Sequence, residues 1–268
     1  MRINGLEFNV RVTGEGEAFL WAHGLMASMT SEDMLDLFSW NNFPEDKKLI
    51  RYDARGHGET EPSCAPADYH WNNLARDMIS VADKVGVEGF SAGGQSMGCA
   101  TTLYAGLLAP QRVRGLVLVN PPTAWETREA QGEFYRKMAK LGGLLGGKIL
   151  AKVTGGNLER LLPGWLLEAK GEKVAGVLEG LKPLKRKTLS SLFTGAAETD
   201  FPSREEIKTL DVPALVLAWT GDPTHPIETA AELDRLLPRS TLVVAEGYSD
   251  FEKWPQRIRE FVSGRTET

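Results

Sequence analysis

Short apolar runs alternate with segments of helical periodicity through the first 124 residues of this chain, and the alternation returns after residue 200. Such an order predicts a parallel sheet with helices on both faces, because parallel neighbours need a crossover long enough to be a helix. Between Trp125 and Asp200 the periodicity is helical throughout. The pattern therefore predicts one α/β core, residues 1–124 and 201–268, with an all-helical cap or lid, residues 125–200, inserted into it.

Within the core, residues 6–12 alternate apolar and polar with period two and read as a half-buried edge strand. Residues 19–22, 48–52, 89–95, 114–119, 214–219 and 241–245 read as further strands. Helices are predicted over residues 31–40, 68–85, 97–108, 228–237 and 251–262. The first of them has Thr30 or Ser31 as its N-cap, with Glu32 and Asp33 in the first turn, where the helix dipole favours acids. The inserted block carries 13 Lys and Arg against 9 Asp and Glu, a balance of +4 that leaves −9 on the rest of the chain. Its Gly-Gly pairs at 142, 146 and 155 predict broken helices, since glycine costs roughly 1 kcal/mol against alanine inside a helix. The block reads either as a packed cap or as a lid that admits substrate. The Leu161–Leu167 stretch reads as a buried cap face, with a lipid interface as the alternative.

Gly94-Gln95-Ser96-Met97-Gly98 falls between a predicted strand and a predicted helix. A serine flanked two residues away by glycines in that context matches a strained strand–turn–helix elbow, in which larger side chains would collide as the turn tightens. The turn presents the Ser96 hydroxyl at the carboxyl end of the sheet and sets the Met97 amide at a helix N-terminus, ready to donate to a developing oxyanion. His23-Gly24-Leu25, just after an early strand, offers the Leu25 amide as second donor, with Gly24 allowing a sharp turn and His23 bracing the loop. Cys99 reads as a small buried thiol.

Composition removes several function classes. With 31 Lys and Arg against 36 Asp and Glu, the net charge is −5, and no basic block stands ready for nucleic acid. No apolar run approaches the roughly 18 residues of a membrane span. The first residues lack an apolar signal core, so a cytoplasmic protein is expected. Cys64 and Cys99 are too few for a disulfide framework or a zinc site. With no metal cluster, phosphate loop or dinucleotide glycine pattern, no cofactor is expected, and the expected partner is a small-molecule substrate.

Over nearly its whole length the chain resembles the α/β-hydrolase fold family. The resemblance rests on His23-Gly24, on Asp53-Ala54-Arg55-Gly56-His57-Gly58 after a strand, on the Ser96 elbow, and on Gly221-Asp222-Pro223-Thr224-His225-Pro226 after a late strand. It implies a mostly parallel eight-stranded sheet with helices on both faces, a helical cap inserted after strand six, and a serine–acid–histidine triad. The acid position maps onto Asp222. Asp53 and Arg55 map onto a structural turn, and His57 reads as loop-shaping with them.

One position departs from that pattern. The family commonly carries a Gly-His near the last strand, about seven residues before a proline, and here the matching pair is Gly247-Tyr248, with Pro255 seven residues on. No histidine follows His225. Tyrosine, with an ordinary pKa near 10, is a poor general base at neutral pH. Three readings follow. His225, three residues after Asp222, stands in as the base, oriented by Asp222, Glu246 or Asp250; or the chain has become a ligand-binding scaffold; or catalysis proceeds without the usual base, through Tyr248, His70 or the substrate. His225 also has a plain role open to it, bracing its loop between two prolines, and His70 a packing role. Trp125 stands at the cap entrance, to line the pocket or pack the hinge. The expected activity is hydrolysis of an ester or lactone of a small to medium, largely apolar substrate by Ser96, Asp222 and His225, with a silent binding protein or a cofactor-free lyase or cyclase as alternatives.

Overall fold

The computed structural model describes residues 1–160 and 162–264. Its strands are β1 (Arg2–Ile3), β2 (Leu6–Glu7), β3 (Val10–Thr13), β4 (Glu17–Ala22), β5 (Lys47–Tyr52), β6 (Phe90–Gln95), β7 (Val113–Val119), β8 (Ala214–Trp219) and β9 (Ser240–Ala245). Seven of them form one sheet in the order β3-β5-β4-β6-β7-β8-β9, antiparallel at the β3–β5 edge and parallel elsewhere.

Successive residues of a strand face opposite sides, so a sheet covered on both faces needs near-continuous apolar strands. In β8, Ala214, Val216 and Ala218 enter one core while Leu215, Leu217 and Trp219 enter the other. The first core is closed by α2 (Trp71–Lys84), α3 (Met97–Leu108) and α9 (Ile227–Leu236), which follow α1 (Met29–Leu35) in the chain order of helices. The second is closed by α11 (Trp254–Val262) and by Leu37, Phe38 and Trp40, which follow α1.

Between β7 and β8 run α4 (Arg128–Leu145), α5 (Gly147–Gly155), α6 (Gly164–Glu179) and α7 (Arg186–Ala197), followed by the single turn α8 (Arg204–Ile207). Tyr135 and Met138 of α4, Leu150 of α5 and Leu189, Leu192 and Phe193 of α7 form a separate core with Tyr69, whereas Leu166 of α6 packs into the second core of the sheet. The α4–α5 break falls at Gly146, whose φ of 78° a side chain rarely adopts. Gly142 leaves α4 unbroken and instead allows a close approach to Leu189. Lys170 of α6 donates from Nζ to the Leu35 carbonyl at 2.8 Å and the Asp36 carbonyl at 3.0 Å, fastening the block to the C-terminal end of α1.

Several local expectations are corrected. The predicted edge strand 6–12 is split: Leu6–Glu7 turns back onto Arg2–Ile3 through Asn4-Gly5, both at positive φ, and Val10–Thr13 alone joins the large sheet. Among the described residues the hydrogen-bonded sheet has seven strands, as the sequence pattern counted, where the resemblance implied eight. Helix α1 starts earlier than expected because Ser28 is the N-cap, reciprocally bonded with Ser31, and Asp36 ends it in the left-handed conformation. The predicted helix 68–85 is a 3₁₀ turn, Pro66–Tyr69, followed by α2. The last predicted helix divides into α10 (Tyr248–Phe251) and α11, because Pro255, with no N–H to give, sits in the first turn of a new helix. Leu161, in the stretch read as a buried cap face, lies outside the described residues; Leu166 of the same stretch is buried. No helix among the described residues is long and apolar enough to cross a membrane.

Candidate active site

Ser96 joins β6 to α3 with φ 54° and ψ −111°, a backbone conformation that costs a non-glycine residue strain. The flanking glycines make the turn sterically feasible. A Cβ on Gly94 would lie 2.4 Å from the Gly98 carbonyl group, and one on Gly98 would lie 2.1 Å from the Ala22 carbonyl oxygen. The Ser96 amide donates to the Val119 carbonyl at 2.9 Å, tying the elbow to β7.

Asp222 and His225 share the loop between β8 and α9. The His225 amide donates to the Asp222 carbonyl at 3.2 Å, closing a turn with Pro223 in its second position, and the Thr224 amide donates to Asp222 Oδ1 at 2.8 Å. Asp-Pro-Thr-His is a turn-forming run, since Asp accepts from the backbone ahead of it and Pro presets φ. The turn directs the Asp222 and His225 side chains into contact with each other, with the imidazole reaching Ser96. His225 Nδ1 lies 2.6 Å from Asp222 Oδ2, and Nε2 lies 2.8 Å from Ser96 Oγ. An ionised carboxylate only accepts, so Nδ1 carries the imidazole proton, Nε2 is the acceptor and the Ser96 hydroxyl donates to it.

Asp222 is fully buried at its side chain and also accepts from Trp219 Nε1 at 3.0 Å. Burial opposes its charge, but the neighbouring His225 and the hydrogen bonds from His225, Trp219 and Thr224 outweigh it and hold the carboxyl below its ordinary value.

Among the described residues, neither the Leu25 nor the Met97 amide donates to a protein acceptor. Met97 opens α3, where the first amides have no carbonyl a turn behind them. The Leu25 loop is braced by His23, whose Nδ1 donates to the Gly24 carbonyl at 2.8 Å while Nε2 accepts from the Ala54 amide at 3.0 Å. Gly24 is not at positive φ; instead, a Cβ there would reach to 3.5 Å from Ser96 Cβ. Its lack of a side chain keeps the space above the serine open.

The loop after β5 is built by Asp53, buried, which accepts from the Met29 amide at 2.7 Å and the Glu59 amide at 3.0 Å. Arg55 forms a bidentate pair with Asp77 at 2.6 and 2.7 Å. His57 is buried edge-on to His23, and burial lowers its pKa to about 3. Cys99 is buried, its thiol pushed far up by burial, and its Sγ lies within 3.2 Å of the Gly94 and Val119 carbonyls.

Other candidates lie elsewhere. Tyr248 opens α10 and packs on Phe251, with ring centroids 5.9 Å apart, outside the cavity over Ser96. His70 caps α2 and faces Glu198 at 3.5 Å, also outside that cavity. Trp125 is a hinge clamp: its amide donates to the Asp200 carboxylate at 3.0 Å and its indole to the Pro202 carbonyl at 3.0 Å, joining the two ends of the helical block. Asp250 accepts from Lys253, and neither it nor Glu246 is bonded to His225.

Ser96, His225, Leu25 and Trp219 line one end of a cavity of about 250 Å³. Its other walls are mostly aliphatic and come from α1, α6 and the stretch between α5 and α6, with Leu158, Leu166, Val174 and Leu178 among them. Sequence reading missed Glu32 and Lys170, which also line it. Glu32 is buried and accepts from Trp21 Nε1 and Arg51; burial raises its pKa despite Arg51. A larger cleft, about 400 Å³, lies at the amino-terminal ends of β4, β6, β7 and β8, opposite the ends that carry Ser96 and Asp222, and touches none of these residues. No group of three or more His, Cys, Asp or Glu fit to hold a metal occurs among the described residues.

A family profile described as alpha/beta hydrolase fold matches residues 17–144. The chain is 26% identical over 204 residues to 3-oxoadipate enol-lactonase 2 of Acinetobacter baylyi, a match covering 76% of this chain and 72% of the relative. It superposes on an enol-lactonase from Burkholderia xenovorans with a TM-score of 0.74 at 20% identity, covering 98% of this chain and 96% of the other. A thermophilic esterase from Thermogutta terrifontis gives a TM-score of 0.80 at 22% identity, over 97% and 92% of the two chains.

Proposed function

From the premise that this chain belongs to the α/β-hydrolase superfamily, we propose that it is a serine hydrolase of carboxylic esters or lactones whose general base is His225. The observation that carries this reading is the continuous contact from Ser96 Oγ through His225 to Asp222, at 2.8 and 2.6 Å. The similarity to an enol-lactonase and an esterase supports the choice of bond.

In this mechanism Ser96 Oγ attacks the carbonyl carbon as His225 Nε2 takes the hydroxyl proton. The charge that develops on the carbonyl oxygen falls to the free Leu25 and Met97 amides. Asp222 stabilises the imidazolium. Collapse of the tetrahedral species expels the alcohol, which takes the proton back from His225; in a lactone it stays tethered to the acyl group. Water, deprotonated by the same imidazole, then releases the acid and restores Ser96. The helical block, residues 125–200, serves as a cap, since Leu158, Leu166 and Val174 roof the cavity. The aliphatic walls and small volume suit a small to medium, largely apolar acyl or alcohol group.

The test is the rate at which a fluorophosphonate probe labels Ser96 in wild type and in His225→Ala, with mass spectrometry of the modified peptide. Fast wild-type labelling that falls by about 10²–10⁴ in the variant is the expected result. Fast labelling indifferent to the substitution would remove His225 from the mechanism. No labelling in either protein would remove the activated serine and leave a binding scaffold.

A further inference from the structure

We infer that Trp219 is a positioning residue for this site, its indole N–H anchoring the carboxylate that holds His225. The inference rests on the triad reading above and concerns what keeps that triad in register. Here acid and base share one short loop, so a displacement of the loop moves both away from Ser96 together. The loop leaves β8 through Gly221 at φ 83°. Two of the three donors to Asp222, His225 Nδ1 and the Thr224 amide, belong to the loop itself and move with it. The third, Trp219 Nε1 at 3.0 Å, comes from the last residue of β8, inside the sheet. Among the described residues it is the direct bond from the sheet to the carboxylate; the loop backbone has a separate tie, the Thr123 amide donating to the Thr224 carbonyl at 3.2 Å.

The ring is well placed for that work. Trp219 is buried, stacked on Trp254 at 5.7 Å between centroids and 13° between planes, with Trp165 of the cap edge-on at 5.9 Å and Phe251 at 6.0 Å. This aromatic cluster is continuous with Tyr248, the residue standing where the family pattern has histidine. The Nε1 atoms of Trp165 and Trp254 are buried without a partner. Of the three packed indoles, Trp219 is the one whose N–H meets an acceptor, and that acceptor is Asp222 Oδ2, the same oxygen that receives the imidazole proton donor. Packing alone would be served by any large ring; the N–H on Asp222 asks for tryptophan.

The experiment replaces Trp219 with 3-benzothienylalanine, which keeps the bicyclic shape and puts sulfur in place of N–H. Trp219→Phe is a second variant, and the same analogue at Trp254 is the control. Each protein is checked by thermal melting, then assayed for fluorophosphonate labelling of Ser96 and for kcat and KM on a p-nitrophenyl ester of a short aliphatic acid across pH. The analogue at 219 is expected to lower kcat and labelling rate about tenfold to hundredfold, the range for losing a hydrogen bond to a charged group, with KM within about twofold. The acid limb of kcat/KM should move to higher pH, because a carboxylate with one donor fewer holds the imidazole proton more tightly. At 254 the analogue should leave kcat within about twofold. Labelled wild type with unchanged kcat and an unmoved acid limb in the 219 analogue would overturn the role of Trp219 alone. A wild type that is never labelled would overturn the triad reading and this inference with it.

Discussion

Asp222→Asn isolates charge from shape at the centre of the site. Asp222 receives three donors: His225 Nδ1 and Trp219 Nε1 on Oδ2, and the Thr224 amide on Oδ1. An asparagine has one oxygen, so its best orientation turns that oxygen toward His225 and Trp219 and sets its NH₂ against the Thr224 N–H. The imidazole tautomer survives, one turn hydrogen bond is lost, and the negative charge facing the developing imidazolium disappears. For unit charges about 4 Å apart at an effective dielectric near 20, that charge is worth about 4 kcal/mol. The corresponding fall in kcat is about 10³-fold. The assay is ester turnover by wild type, Asp222→Asn, His225→Ala and the double variant, each shown by thermal melting to be folded. Because the carboxylate acts through the imidazole, Asp222→Asn should cost little once His225 is gone, so the two losses should be far from additive. A single-variant loss below tenfold, or additive losses in the double variant, would refute the reasoning.

Tyr248→His placed on the His225→Ala background should restore no activity, because position 248 packs on Phe251 outside the Ser96 cavity; recovery of turnover would show that a side chain at 248 comes within reach of Ser96. Gly98→Ala should lower stability by about 3 kcal/mol or more, a melting-point drop of roughly 10 °C, since its Cβ would sit 2.1 Å from the Ala22 carbonyl oxygen; a near-wild-type melt would contradict the elbow packing. The Asp222 carboxyl is held below its ordinary value of 3.8, so its charge stabilises the fold at neutral pH and that contribution fades as the pH falls below 3.8 through the folded-state value. The melting-point advantage of wild type over Asp222→Asn should therefore shrink on acidification, and a gap that widens would reverse the sign. Iodoacetamide at mildly alkaline pH should alkylate exposed Cys64 and spare buried Cys99 in the native protein, as peptide mass spectrometry would read; early modification of Cys99 would mean that the elbow helix opens.

What could be read from the sequence is what short-range sterics decide. The Ser96 elbow depends on Gly94 and Gly98, two residues either way, and Asp-Pro-Thr-His is a turn within four residues, so both left a local signature. The strand 214–219 was legible because burial on both faces leaves a short continuous apolar run bounded by turn residues, and the strand 90–95 and the helix after Ser96 were legible from their places on either side of the elbow. Where the reading slipped, a distant residue decided. Ser28, Thr30 and Ser31 are all good helix caps; the choice of Ser28 comes with the Met29 amide bonding to Asp53, 24 residues on. The edge strand breaks where the Phe8 amide turns to the Met1 carbonyl and the Asn9 side chain reaches Asp53, 44 residues away. The cavity shows this most fully. That α6 is a helix follows from its own periodicity, but that Leu166, Lys170 and Val174 look down on Ser96 follows from Lys170 meeting the end of α1, 134 and 135 residues earlier. Trp219 stands between the two regimes. In the sequence it is the last apolar residue of a buried strand and reads as core, and it is core; its N–H acquires a chemical role only when the turn beyond Gly221 brings Asp222 back over it. The turns that carry the residues of the proposed triad are thus set by local rules, while the residues packed around them are set by the fold.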